Sequence, residues 1–182
     1  MKIAIIGTHF SGKTNLVNEV YDYLHGVHGD VARVSEVVRR CPLPVNDRTT
    51  FEAQSWILMQ QIKEETEKSV HSIIISDRSV IDNYIYMMRK FPGEAAAFLP
   101  LVLEHAKTYD FIFKTVPADM EIHDDGFRDT GPGFREEIEG MLSEFLAEHG
   151  IMHYLLPAEN RASFVLDTLG PALKDFNQSN KE

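Results

Sequence analysis

Residues 7–14 read Gly-Thr-His-Phe-Ser-Gly-Lys-Thr, which fits the pattern G-x-x-x-x-G-K-[ST]. The pattern has a mechanical meaning. Gly7 and Gly12 let the backbone curl, so that the N–H groups around Thr8, His9, Phe10 and Ser11 can point together at phosphate oxygens. A helix starting at Lys13 would add the positive end of its dipole. Lys13 can then bridge the β and γ phosphates while the Thr14 hydroxyl ligates Mg²⁺. The spacing implies binding of a nucleoside triphosphate and leaves the reaction open.

A second set of residues bears on the reaction. Asp77 and Arg78 follow the apolar run Ile73-Ile74-Ile75. At the carboxyl edge of a parallel sheet, Asp77 could hold Mg²⁺ through water or orient an attacking hydroxyl, and Arg78 could meet a phosphate with its planar fork. The plainer alternative is that Asp77 caps the helix beginning near Ser79. Glu36 is expected at the end of a second strand with Arg39 and Arg40 behind it. A carboxylate there could take a proton from a hydroxyl attacking the γ phosphate, so Glu36 leads as base with Asp77 as rival. The alternative is a solvated charge cluster. Gln54 could read a base edge through its paired donor and acceptor, whereas Trp56 reads as core packing. Between Pro117 and Gly133 the chain is polar, acidic and glycine-rich. Arg128 within it and Arg135 just after it could fold over a triphosphate and shut out water, or else pair locally on the surface. His123, Asp124 and Asp125 are consecutive and therefore poorly placed to converge on one metal ion.

Short β-rich runs alternating with longer helical patterns must position these groups, and that alternation indicates a parallel sheet covered by helices on both faces. Strands are expected at Lys2 to Ile6, Ala32 to Val38, Ser72 to Ser76, Asp110 to Val116 and Met152 to Leu156. Helices are expected over residues 13–25, over Thr49 to Val70 with Asp47 or Thr49 as cap, from Val80 to a stop at Pro92-Gly93, and from Glu94 to Lys107. Another runs from Phe134 to Gly150, and a last one is broken or kinked at Gly170-Pro171. Residues 1–176 read as one domain with a lid at about 117–135, and 177–182 as a tail.

Composition sets the outer limits. With 182 residues, 43% of them apolar, the chain can bury roughly 70% of its unfolded surface without disulfides. The net charge of −10 repels a phosphate backbone, so no nucleic-acid polymer is expected as a partner. Cys41 is the only cysteine, expected as a small packed residue, and no run approaches the ~18 apolar residues of a membrane span. A cytoplasmic protein, monomeric or homodimeric, is the resulting expectation.

Taken together, G-x-x-x-x-G-K-T, E-x-x-R at Glu36 and Arg39, the strand end I-I-S-D-R-S, and D-G-F-R followed by Arg135 resemble a known P-loop family. It includes the ribosylnicotinamide kinase domain of the bacterial NAD-biosynthesis regulator and, more distantly, thymidylate and deoxynucleoside kinases. The resemblance spans Lys2 to about Leu169. It implies a three-layer P-loop NTPase fold, a five-stranded parallel sheet in the order 2-3-1-4-5, and a lid. It also implies phosphate and Mg²⁺ roles for Lys13 and Thr14, the family's D-R pair in Asp77-Arg78, and lid arginines in Arg128 and Arg135. Where thymidylate kinases usually continue that pair with Tyr or a similar group, this chain has Ser79.

The leading expectation is an ATP-dependent kinase acting on a nucleoside, nucleotide or ribosylnicotinamide-like acceptor, with Mg²⁺ and with Glu36, Arg39, Gln54 and Arg78 about the acceptor. The alternative is an ATP- or GTP-binding regulator or an NTPase without an acceptor. A guanine switch would carry N-K-x-D after the fourth strand, where this chain has Phe113-Lys114-Thr115-Val116. A mechanical ATPase would place Glu after Asp77, where this chain has Arg78.

Overall fold

The apolar runs form five parallel strands: β1 (Lys2–Ile6), β2 (Val31–Val34), β3 (Ile73–Asp77), β4 (Phe111–Lys114) and β5 (Tyr154–Leu155). The computed structural model describes residues 1–9, 11–116 and 133–179, with the backbone alone at residues 47 and 175–179. The strand order is β2-β3-β1-β4-β5, and each neighbouring pair is parallel. Parallel strands need crossovers, and the helices supply them: α1 (Lys13–His28), α2 (Phe51–Glu67), α3 (Val80–Lys90), α4 (Pro92–Ala95), α5 (Leu99–Ala106), α6 (Phe134–Glu148) and α7 (Arg161–Ser179).

Side chains of successive strand residues point to opposite faces, so β1 feeds two cores. Ile3 and Ile5 pack with Leu16 and Val20 of α1 and with Val165 and Leu169 of α7. Ala4 and Ile6 pack with Leu58 of α2, Ile81 and Ile85 of α3, Val102 of α5 and Leu142 of α6. The register then sets the geometry of the functional edge. Ile5 pairs with Asp77 and Ile6 with Lys114, so the chain leaving β1 at Gly7 emerges between the ends of β3 and β4.

Several boundaries differ from the sequence expectation. β2 stops at Val34, because its partner register ends at Val34 opposite Ser76, and residues Val37–Arg40 form a 3₁₀ turn instead. Glu36 therefore lies just beyond the strand. Thr50, not Asp47 or Thr49, caps α2 by accepting from the Ala53 N–H at 3.3 Å; the Thr49 hydroxyl accepts from Gln54 Nε2. Pro92 begins a helical turn rather than only ending one, since a first-turn residue needs no N–H partner. The helix expected from Glu94 to Lys107 is split by a 3₁₀ turn at Ala96–Phe98. Pro171 does not break α7. Val165, Leu169 and Leu173 form a buried i, i+4, i+8 stripe that continues past it, offsetting the lost backbone bond. The lid expected at 117–135 lies outside the described residues up to 132.

Candidate functional site

The phosphate loop is shaped by neighbours distant in sequence. Gly7 has φ of 134°, and a Cβ there would stand 2.0 Å from Thr115 Oγ1, so only glycine fits. Its N–H donates to Asp82 Oδ1 at 2.9 Å. The Thr115 hydroxyl lies 2.8 Å from Ser11 Oγ, and Ser11 Oγ donates to the Thr8 carbonyl at 2.8 Å. Gly12, with φ of 78°, turns the loop into α1. Phe10 lies outside the described residues.

Lys13 is folded back into this loop, donating to the Thr8 carbonyl and to Ser11 Oγ at 3.1 Å. Burial, reinforced by the nearby Arg78 charge, lowers its pKa to about 7. The nearby carboxylates of Asp82, Asp77 and Glu36 only partly offset that lowering, because its hydrogen bonds go to neutral oxygens. Beside it, the Thr14 hydroxyl donates to Asp77 Oδ2 at 2.6 Å. Asp77 is pushed above the usual carboxylate range by burial, an effect the Thr14 hydrogen bond and the Lys13 charge only partly oppose. Its Oδ1 is buried and has no hydrogen-bond partner among the described residues. Hard oxygen donors from a hydroxyl and a carboxylate, one atom of which lacks a partner, fit the ligand chemistry of Mg²⁺.

The alternative role for Asp77 as helix cap is not adopted. Ser79 caps α3, its Oγ accepting from the N–H groups of Ile81 at 3.1 Å and Asp82 at 3.4 Å. Asp82 closes the capping box through Oδ2, which accepts from the Ser79 N–H at 2.9 Å and its hydroxyl at 2.8 Å. Asp82 thereby ties the first glycine of the phosphate loop to the turn carrying Asp77 and Arg78.

Arg78 adopts φ of 80°, unusual for a residue with a side chain, and is anchored by its N–H on the Ile5 carbonyl at 3.1 Å. Its Nε donates to Glu36 Oε1 at 3.0 Å, while Arg39 Nε donates to Glu36 Oε2 at 2.8 Å. Burial opposes the charge of Arg78, but Tyr86, Glu36 and Asp82 outweigh it and the guanidinium stays charged. The sequence alternative of a solvated cluster fails for Glu36, which is 5% exposed.

Glu36 forms a wall between two cavities. One is lined by His9, Gln54, Arg78, Asn83, Tyr86 and Phe134, among others. The other is lined by Thr14, Arg33, Arg39, Arg40 and Asp77. His9 reaches out of the phosphate loop into the first, with Nδ1 3.3 Å from the Tyr86 hydroxyl and its ring 5.3 Å from that of Phe134. Gln54 faces this cavity and spends its Nε2 on the Thr49 hydroxyl at 2.9 Å. Trp56 is half-buried. Arg135 is half-buried in the first turn of α6, and Arg128 lies outside the described residues.

The structure thus brings Lys13, Thr14, Glu36, Arg39, Asp77 and Arg78 to one sheet edge. Sequence reasoning missed Asp82, Tyr86, Thr115 and Arg161, whose Nη1 donates to the Ser11 carbonyl at 2.7 Å. The S-x-x-D spacing of Ser79 and Asp82 was a readable cap signal; the others are long-range contacts with no local signature.

Sheet order, glycine loop and the Thr14–Asp77 pair together define a P-loop NTPase fold. The chain belongs to the AAA domain family, which matches residues 2–163. No curated protein matches it in sequence. Among solved structures it is similar to a NadR protein in complex with NR, at 20% identity and a TM-score of 0.76, covering 92% of this chain and 50% of that one. The chain thus spans half the length of that structure. It is also similar to deoxyadenosine kinase from M. mycoides with bound dATP, at 18% identity and a TM-score of 0.68, covering 93% of this chain and 99% of that one. Thymidylate kinase from Ehrlichia chaffeensis is similar at 15% identity and a TM-score of 0.67, covering 93% and 98%. At such identities these likenesses show a shared fold.

Proposed function

We propose that the chain is a phosphotransferase that moves the γ-phosphoryl of ATP, with Mg²⁺, onto a hydroxyl or phosphate of a nucleoside, nucleotide or ribosylnicotinamide-like acceptor. The observation that carries this reading is the buried Glu36 carboxylate, which shares one cavity with Thr14 and Asp77 and opens on a second that runs from His9 of the phosphate loop to Gln54 and Tyr86. A protein that only hydrolysed or sensed a nucleotide would not need that second cavity. The kinases among the fold's relatives support the same class.

In this reading Lys13 exchanges the Thr8 carbonyl and Ser11 hydroxyl for triphosphate oxygens, where its charge is stabilised. Thr14 and Asp77 would hold Mg²⁺, which when bound neutralises charge on the β and γ phosphates. Glu36 receives the proton of the acceptor hydroxyl, since it lines the cavity assigned to the acceptor and Asp77 would be committed to the metal. Arg78 and Arg39 fix the Glu36 carboxylate from opposite sides, and Arg78 also faces the acceptor cavity. Gln54, with its Nε2 held by Thr49, lines the far wall and contacts the ring of the acceptor. Arg135, in the first turn of α6, would serve the transferring group.

The deciding experiment measures ADP release with MgATP against a panel of nucleosides, nucleoside monophosphates and ribosylnicotinamide. One class is expected to stimulate turnover, and Lys13→Ala is expected to lower that turnover at least a hundredfold while the circular dichroism spectrum is unchanged. Absence of stimulation across the panel, or wild-type turnover in Lys13→Ala, would overturn the proposal.

A further inference from the structure

We infer that Arg161, at the opposite end of the sequence from the phosphate loop, is a positioning residue that sets the loop for the donor triphosphate. The inference rests on reading the loop as a triphosphate cradle. Arg161 is the first residue of α7, and the chain enters that helix through Asn160 at φ of 54°, a left-handed conformation that asparagine tolerates. From there its guanidinium spans two backbone carbonyls. Nε donates to Pro157 at 3.0 Å, and Nη1 donates to Ser11 at 2.7 Å, across 150 residues of sequence.

The second bond matters because of peptide geometry. In a planar trans peptide the carbonyl of one residue and the N–H of the next point in opposite directions. Holding the Ser11 carbonyl toward Arg161 therefore turns the Gly12 N–H away from it, toward the inside of the loop where phosphate oxygens are received. Gly12 could not fix this peptide by itself. It has φ of 78° and no side chain, and the Arg161 guanidinium lies 3.6 Å from where its Cβ would stand. The only other long-range tie on Ser11 is its hydroxyl, beside Thr115, which leaves the carbonyl to Arg161 among the described residues. A planar fork with two donors suits the task, and an ammonium does not reproduce it.

The test is calorimetric binding of MgATP and of magnesium tripolyphosphate to the wild type, Arg161→Ala and Arg161→Lys, with KM and kcat for ATP measured in parallel. Loss of a charge-assisted bond to the loop is expected to weaken ATP about tenfold in Arg161→Ala. Tripolyphosphate is expected to weaken by the same factor, because the effect is on the phosphates. KM for ATP rises by that factor while kcat stays within about twofold, and Arg161→Lys recovers part of the loss. Should Arg161→Ala fail to fold, the Arg161→Lys comparison alone decides, since an unchanged affinity there overturns the inference. Equal ATP binding by wild type and Arg161→Ala would overturn it, as would a loss confined to ATP with tripolyphosphate unaffected. A wild type that binds neither ligand would sink the cradle reading itself, a result distinct from the first two.

Discussion

At the scale of single residues, Lys13 carries a pH dependence whose direction follows from its surroundings. Its folded-state pKa, about 7, lies below the ordinary 10.5. Between those values the unfolded chain holds a proton that the folded chain has released, so stability of the nucleotide-free protein rises with pH across that window. Below pH 7 the folded state carries a buried charge at full penalty. Lys13→Met is therefore expected to stabilise the nucleotide-free protein at pH 6, by on the order of a few kcal/mol. The gap should close as pH approaches 10, as followed by thermal melts at several pH values. A gap independent of pH would show that Lys13 is not the titrating group. The phosphate loop was legible because its chemistry is local, eight consecutive residues whose spacing prescribes the curl. Its supports were not. Thr115, Asp82 and Arg161 meet the loop only after β4, α3 and α7 are in place, and nothing in their own neighbourhoods announces it.

At the scale of elements, the parallel sheet with helices on both faces matched what the alternation of apolar runs and helical periods implies, whereas its order β2-β3-β1-β4-β5 matched what the family resemblance implies and no local pattern encodes it. Boundaries moved where tertiary partners end, as at Val34 of β2, or where packing overrides propensity, as at Pro171. One device holding α2 in place was not readable at all. Glu65 is fully buried and accepts from Gln61 at 2.7 Å, Tyr109 at 2.9 Å and Ser76 at 3.2 Å on one oxygen. Its other oxygen accepts from His105 at 2.7 Å and Lys2 at 3.2 Å. Burial alone would raise its pKa, but the His105 and Gln61 bonds and the Lys2 charge outweigh that and hold it below the usual glutamate value. A depressed carboxylate pKa gives stability that is present above the unfolded value and is lost as pH falls through the folded one. Glu65→Ala is thus expected to destabilise by about 3–5 kcal/mol at pH 7, through the cations and donors left unpaired. The deficit should shrink at a pH below the depressed Glu65 value, where the wild type has lost the same interaction. Urea titrations at the two pH values would measure it, and a deficit that persisted unchanged in acid would contradict the charged network.

At the scale of the whole molecule, a chain of net charge −10 gathers Lys13, Arg39, Arg78 and Arg161 at one edge of its sheet. Glu36, Asp77 and Asp82 stand among these cations, so the edge that would meet a triphosphate is free of the chain's excess negative charge. The three parts that meet there come from separate stretches of sequence: the loop after β1, the turn after β3 and the start of α7. A ligand bound among them links both helical layers, so its binding energy appears as global stability. At a concentration about 100 times its dissociation constant, MgATP should add about 2.7 kcal/mol. For a domain of this length that corresponds to a rise in Tm of roughly 5–10 °C. AMP, lacking the β and γ phosphates that Lys13 receives, should give little of this rise. Lys13→Met should give little with any nucleotide, although its own melting temperature without nucleotide is higher. A rise of equal size with AMP and ATP would place the recognition on the nucleoside rather than on the phosphate loop, and would remove the basis for phosphoryl transfer at this edge.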